Sequence, residues 1–137
     1  MIIDHVVLWV EDPQQSLAFY CDVLGMSPVR AEEYTQGKAP FPSVRLNEGS
    51  IFDLMERKML QATSGLTGGQ ASGQALNHVC LSMDAETYAA LQARLSNHGV
   101  ALNPGPDPSF GAQGFTSHSV YFQDPDDNTI EIRCYDE

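Results

Sequence analysis

Two histidines occupy the same place in two similar stretches, "IDHVVLWV" at residues 3–10 and "LNHVCLSM" at 76–83. In each, an acidic or amide residue precedes the histidine and an alternating run of strand-forming residues follows it. Near the end of the chain, "TIEIRCY" (129–135) sets Glu131 between Ile130 and Ile132, and "SIFDLME" (50–56) sets Asp53 between Phe52 and Leu54. A carboxylate flanked by core-type residues costs free energy unless it is paired or bound to a cation. Two imidazoles with one or two carboxylates suit a divalent transition metal such as Fe, Mn, Ni, Co or Zn. The same groups can instead be partly buried polar residues that hydrogen-bond one another, and the residue types alone leave both readings open.

Positioning these groups needs strands. Alternation puts His5, Val7 and Trp9 on one face of the first strand and Val6, Leu8 and Val10 on the other. It likewise separates His78, Cys80 and Ser82 from Val79, Leu81 and Met83. The aliphatic faces are the ones helices should cover, so the histidines, Asp53, Glu131 and Arg133 should look into a common concavity. Asp12-Pro13 and Asp84 supply helix starts, and Gly25 and Gly99 supply stops. The pattern predicts strand–helix–strand–strand–strand twice, with strands near 29–33, 43–46 and 50–55, then near 100–102, 117–123 and 129–134. Module 1 spans 1–56, a Gly/Ser/Thr/Gln-rich linker spans 57–75, and module 2 spans 76–137. The segment "NPGPDPSFGAQGFT" (103–116) reads as a long loop.

The bulk properties fit one α+β domain. A chain of 137 residues with 42% hydrophobic and 18% charged residues is ordinary for a globular protein. A net charge of −11 disfavours nucleic acid and anionic membranes as partners, although a local pocket can still take a small anion. No signal-type or spanning apolar run is present, which points to a cytoplasmic protein. The three cysteines, Cys21, Cys80 and Cys134, read as reduced, buried thiols. Arg45 and Arg133 alternate with core residues and read either as contacts for an anionic ligand or as rim charges in ion pairs. Trp9 and Tyr121 read as an aromatic wall for the substrate, with packing or a dimer contact as the other reading of Trp9.

Taken together, "DHVVLWVEDPQQSLAFYCDVLGM", "LNHVCLSM" and "VYFQDPDDNTIEI" resemble the vicinal oxygen chelate superfamily, over essentially the whole chain. That superfamily includes glyoxalase I, extradiol dioxygenases, fosfomycin-resistance transferases and bleomycin-binding proteins. The resemblance implies two tandem βαβββ modules forming a concave, partly open, barrel-like mixed sheet. It places metal ligands at His5, His78 and Glu131, with Asp53, one methylene shorter than the usual glutamate, at the fourth position. It implies catalytic roles for Glu131, Asp53 and Tyr121, a small-molecule substrate with neighbouring oxygens, and a homodimer. The ring-cleavage signature is incomplete, because no histidine stands six to eight residues before Val120 and His118 falls on the wrong face. A glyoxalase-like lyase or isomerase is therefore favoured over a dioxygenase with an atypical site and over a metal-free antibiotic- or toxin-binding protein. A transferase joining a thiol to an epoxide is disfavoured, because its cation loop and basic phosphonate contacts are not evident.

Overall fold

The computed structural model describes residues 3–60, 76, 78–111 and 113–135. Most of the expected linker (61–75) and positions 77 and 112 lie outside them. The chain divides into unit 1, Met1–Ala75, and unit 2, Leu76–Glu137.

In unit 1, β1 (His5–Val10) leads into α1 (Pro13–Ala18). The Asp12 carboxylate caps α1 by accepting from the Gln14 N–H at 2.9 Å, and Pro13 occupies a first-turn position where no N–H is needed. The helix widens into a π turn over Phe19–Val23, closed by the Leu24 N–H donating to the Phe19 carbonyl at 3.3 Å. Leu17, Tyr20 and Val23 are buried, and Tyr20 meets Phe52 edge-on at 5.8 Å. Strands β2 (Ser27–Val29), β3 (Ser43–Asn47) and β4 (Ser50–Glu56) complete a sheet of order β1-β4-β3-β2, with β1 and β4 parallel.

The strand expected near 29–33 is displaced. It ends at Val29, Arg30 turns the chain with φ of 57°, and α2 (Ala31–Thr35) follows. Glu32 and Glu33 sit in the first turn of α2, where the helix dipole favours negative charge.

Unit 2 repeats the plan. After β5 (Val79–Ser82) comes α3 (Ala85–Asn97), capped by Asp84, whose carboxylate accepts from the Thr87 N–H at 2.8 Å. Gly25 and Gly99 follow the helical segments of the two units with φ of 74° and 73°, the left-handed conformation that stops a helix. Strands β6 (Asn103–Pro104), β9 (His118–Gln123) and β10 (Thr129–Cys134) give the order β5-β10-β9-β6, with β5 and β10 parallel. The strand expected near 100–102 forms instead at Asn103–Pro104, on the sheet edge where a proline leaves no inner hydrogen bond unmade. The segment read as one long loop contains a hairpin, β7 (Ser109–Gly111) paired with β8 (Gly114–Thr116).

The registers establish the duplication. Val7 lies beside Asp53 as Cys80 lies beside Glu131, and Trp9 lies beside Met55 as Ser82 lies beside Arg133. Leu8, Val10, Phe52 and Leu54 are buried on the core face of the first sheet, and Phe122, Ile130 and Ile132 on that of the second. The cysteines differ from expectation: Cys134 is buried, Cys21 half-buried and Cys80 exposed, all three as free thiols. Cys80 alternates onto the open face of β5 with His78, away from Val79 and Leu81. Among the described residues no helix is long and apolar enough to cross a membrane.

Candidate functional site

In unit 2 the expected residues come together around Glu131. Its carboxylate is 2% exposed yet fully engaged. One oxygen, Oε1, accepts from the Ser119 hydroxyl at 2.6 Å, from Arg133 Nη2 at 2.6 Å and from Arg133 Nε at 3.2 Å. The other, Oε2, stands 3.2 Å from His78 Nε2. The Tyr121 ring, opposite Glu131 in register, meets the His78 ring edge-on at 5.4 Å. Strand alternation produces this set, because Glu131 and Arg133 on β10, Ser119 and Tyr121 on β9 and His78 before β5 share one face.

Arg133, read from the sequence as a contact for an anionic ligand or a rim charge, is 4% exposed and committed within the unit. Besides Glu131 it donates to Ser109 Oγ at 2.8 Å and to the Tyr135 hydroxyl at 3.2 Å. The Gln113 N–H also reaches Tyr135, at 3.3 Å, and Thr116 donates to the Cys134 carbonyl at 2.6 Å. Both arms of the β7–β8 hairpin are thereby tied to β10 and its extension.

The electrostatics follow from these contacts. Burial pushes Glu131 up, but the Ser119 hydroxyl and the Arg133 guanidinium outweigh it and hold the carboxyl below its ordinary value. Burial works against the Arg133 charge, yet its bonds to Glu131 and Tyr135 prevail and keep it protonated. Cys80 keeps exposed surface, but partial burial of its sulfur and the Glu131 charge push the thiol up to about 11, so it is no thiolate at neutral pH. Burial and the same carboxylate raise the Tyr121 phenol.

Because the folded-state value of Glu131 is depressed, its stabilisation is complete above the ordinary value of 4.5 and is lost as pH falls through the folded value. The stability margin of wild type over Glu131→Gln is therefore expected to shrink as pH falls from about 5 to 3. Urea denaturation of both proteins across that range checks this, and a constant margin would refute it.

In unit 1, Asp53 is buried and accepts from Ser43 Oγ at 2.6 Å, directly across the β3–β4 pair. His5 is exposed, with Nδ1 2.7 Å from Asp4 Oδ1. The Asp4 hydrogen bond, followed by the Asp53 charge, raises the imidazole above its ordinary range. Trp9 is half-buried on the His5 face, and Arg45 is exposed with Nη1 3.4 Å from the Glu48 carbonyl. Within either unit, the described residues hold no group of three or more His, Cys, Asp or Glu side chains close enough to share a metal ion.

Sequence reasoning missed Ser43, Ser119, Ser109 and Tyr135. The signal for two of them was present: Ser119 is two residues from Tyr121, and Ser43 lies on the strand facing Asp53, so alternation alone aims both at the carboxylates.

Comparison with known proteins places this geometry in context. Residues 2–132 match the model of the Glyoxalase/Bleomycin resistance protein/Dioxygenase superfamily. The chain is 28% identical over 129 residues to a probable lactoylglutathione lyase of Vibrio cholerae, covering 93% of this chain and 86% of that protein. It is 28% identical over 128 residues to a lactoylglutathione lyase of Salmonella typhimurium, covering 93% and 88%. An integron cassette protein from the mobile metagenome of V. cholerae superposes with a TM-score of 0.70 at 27% identity, over 99% of this chain and 96% of that one. With the family pattern running through nearly every element just described, from β1 into β10, the chain belongs to the Glyoxalase/Bleomycin resistance protein/Dioxygenase superfamily.

Proposed function

We propose that the protein is a metal-dependent lyase or isomerase of the glyoxalase type, acting on a small molecule with neighbouring oxygens and an anionic group. The observation that carries this reading is the separation of His78 Nε2 from Glu131 Oε2, 3.2 Å. Two donors bound at about 2.1 Å to one ion across an angle of roughly 100° stand that far apart. His78 and Glu131 supply two ligands in this reading, and His5 and Asp53, their counterparts in the repeat, supply the others. The set is drawn from one chain or from two copies in a homodimer.

A divalent ion held by these residues supplies a Lewis acid for charge developing on the substrate oxygens. The chain's own groups do the rest. Glu131, engaged by a guanidinium, is a poor proton acceptor, so Asp53, with Ser43 as its hydrogen-bond donor and Val7 beside it, carries the proton. Tyr121 orients the His78 ring and walls the substrate. Arg45, being exposed, takes the anionic group that Arg133 is not free to bind. The relatives named lactoylglutathione lyase support the reaction class.

Elemental analysis after incubation with Fe, Mn, Ni, Co and Zn is expected to find about one divalent ion per chain. His5→Ala, His78→Ala and Glu131→Ala are each expected to lose it, together with turnover of a glutathione hemithioacetal. Wild type that stays metal-free with all five ions sinks the proposal. One observation favours a second reading: Glu131 is charge-compensated by Arg133 without any metal, as a metal-free binding protein would require. Ligand binding that persists in excess chelator selects that reading.

A further inference from the structure

Among the described residues the same short contact recurs in the two units. A buried serine hydroxyl donates at 2.6 Å to one oxygen of the buried carboxylate on the last sheet strand, Ser43 to Asp53 and Ser119 to Glu131. In unit 2 the contact is reinforced, because both Arg133 donors that reach Glu131 converge on the oxygen Ser119 uses. The Ser119 hydroxyl and both Arg133 donors act on Oε1, Oε2 stands 3.2 Å from His78 Nε2, and Cys80 and Tyr121 also hydrogen-bond the same carboxylate.

The backbone is shaped to allow it. The Gly105 N–H donates to the Ser119 carbonyl at 2.8 Å, so the loop after β6 runs directly over that serine. A Cβ added at Gly105 would stand 2.9 Å from Ser119 Cβ and closer still to its hydroxyl. The glycine therefore leaves the volume in which the hydroxyl reaches Glu131.

We propose that Ser119 and Arg133, with Gly105 making room for the serine, are positioning residues that hold Glu131 by Oε1 and so present Oε2 as its single ligating oxygen. This rests on the reading of Glu131 as a metal ligand, and extends it to the residues that decide how the carboxylate binds. A carboxylate free to rotate can offer both oxygens, whereas one held at Oε1 by a hydroxyl and a guanidinium offers one. Ser43 plays the corresponding part for Asp53, with Met55 where unit 2 has Arg133, so the hydroxyl acts there without a guanidinium at the Arg133 position.

The test uses the full chain, cobalt(II) alone as the probe, and the variants Ser119→Ala, Gly105→Ala and Arg133→Gln. Two readouts are taken. In metal-free protein, imidazole 15N shifts are followed for the four histidines, with His78 assigned by its loss in His78→Gln. Ser119→Ala and Gly105→Ala are expected to move the His78 shifts and leave those of His98 unmoved. With cobalt(II), both variants are expected to bind on the order of 10–100-fold more weakly. Their visible absorption should weaken as a second carboxylate oxygen enters the coordination sphere. Unchanged His78 shifts in folded Ser119→Ala overturn the proposal, as does cobalt(II) binding with wild-type affinity and spectrum. Wild type that binds no cobalt(II), while His78 still responds to Ser119→Ala, overturns the metal reading and leaves the positioning of Oε2 supported. Arg133→Gln carries the greatest risk of unfolding, and the two small substitutions decide the matter without it.

Discussion

Replacing Glu131 with alanine is expected to destabilise the protein by about 3–5 kcal/mol at neutral pH, the range found when one member of a buried ion pair is removed. The cost comes from what stays behind. Arg133 keeps its charge, is 4% exposed, and would retain only Ser109 and Tyr135 of the partners described above. The double variant Glu131→Leu with Arg133→Met removes both charges and restores apolar volume, so it is expected to recover most of the loss. Equilibrium denaturation of the single and double variants measures the coupling between the two sites. If Glu131→Ala falls within 1 kcal/mol of wild type, the guanidinium has found water and the pair is not the buried unit described above.

The second large effect belongs to the opposite face of the same strands. Phe122 is 0% exposed, pairs in register with Ile130, and lies on the core face of the second sheet. Phe122→Ala is expected to cost about 3–5 kcal/mol, through lost transfer energy and the cavity left behind. Val7→Ala, at a position 37% exposed on the His5 face, is expected to stay within about 0.5 kcal/mol of wild type. Thermal melts of the two variants side by side distinguish the packed face from the open one. A Phe122→Ala melt close to that of Val7→Ala would contradict the assignment of faces.

What could be read from the sequence was what a period of two controls. Alternation assigns His5, Asp53, His78, Tyr121 and Glu131 to faces, and the registers Val7–Asp53 and Cys80–Glu131 agree with those faces. Punctuation was legible too, since Asp12, Asp84, Gly25 and Gly99 sit where their side chains or backbone freedom require. Departures occurred where a local signal competed with the pattern. After Val29, the helix-forming Ala31-Glu32-Glu33 outweighs a continued strand once Arg30 adopts the left-handed conformation. Near residue 103 the edge strand is only two residues long and contains a proline, so propensity carries no signal of it. Arg133 shows the deeper difficulty. Alternation aims it at the right face, but only the packing of Ser109, Tyr135 and Glu131 around it decides that it serves a carboxylate of its own chain.

The β7–β8 hairpin has a consequence for how sequences related to this one can vary in length. Ser109 and Thr116 are direct partners across the hairpin, and each is tied to β10, one to the Arg133 side chain and the other to the Cys134 carbonyl. Residues added on the far side of that rung leave these two ties intact and act instead on the Gln113 N–H that reaches Tyr135. A single deletion between Gly105 and Ser109 would turn Ser109 to the other face of its strand and take a partner from the guanidinium. The segment whose prolines and glycines look most tolerant of change is thus fixed in length at its root, where a slip of one residue takes a partner from the guanidinium.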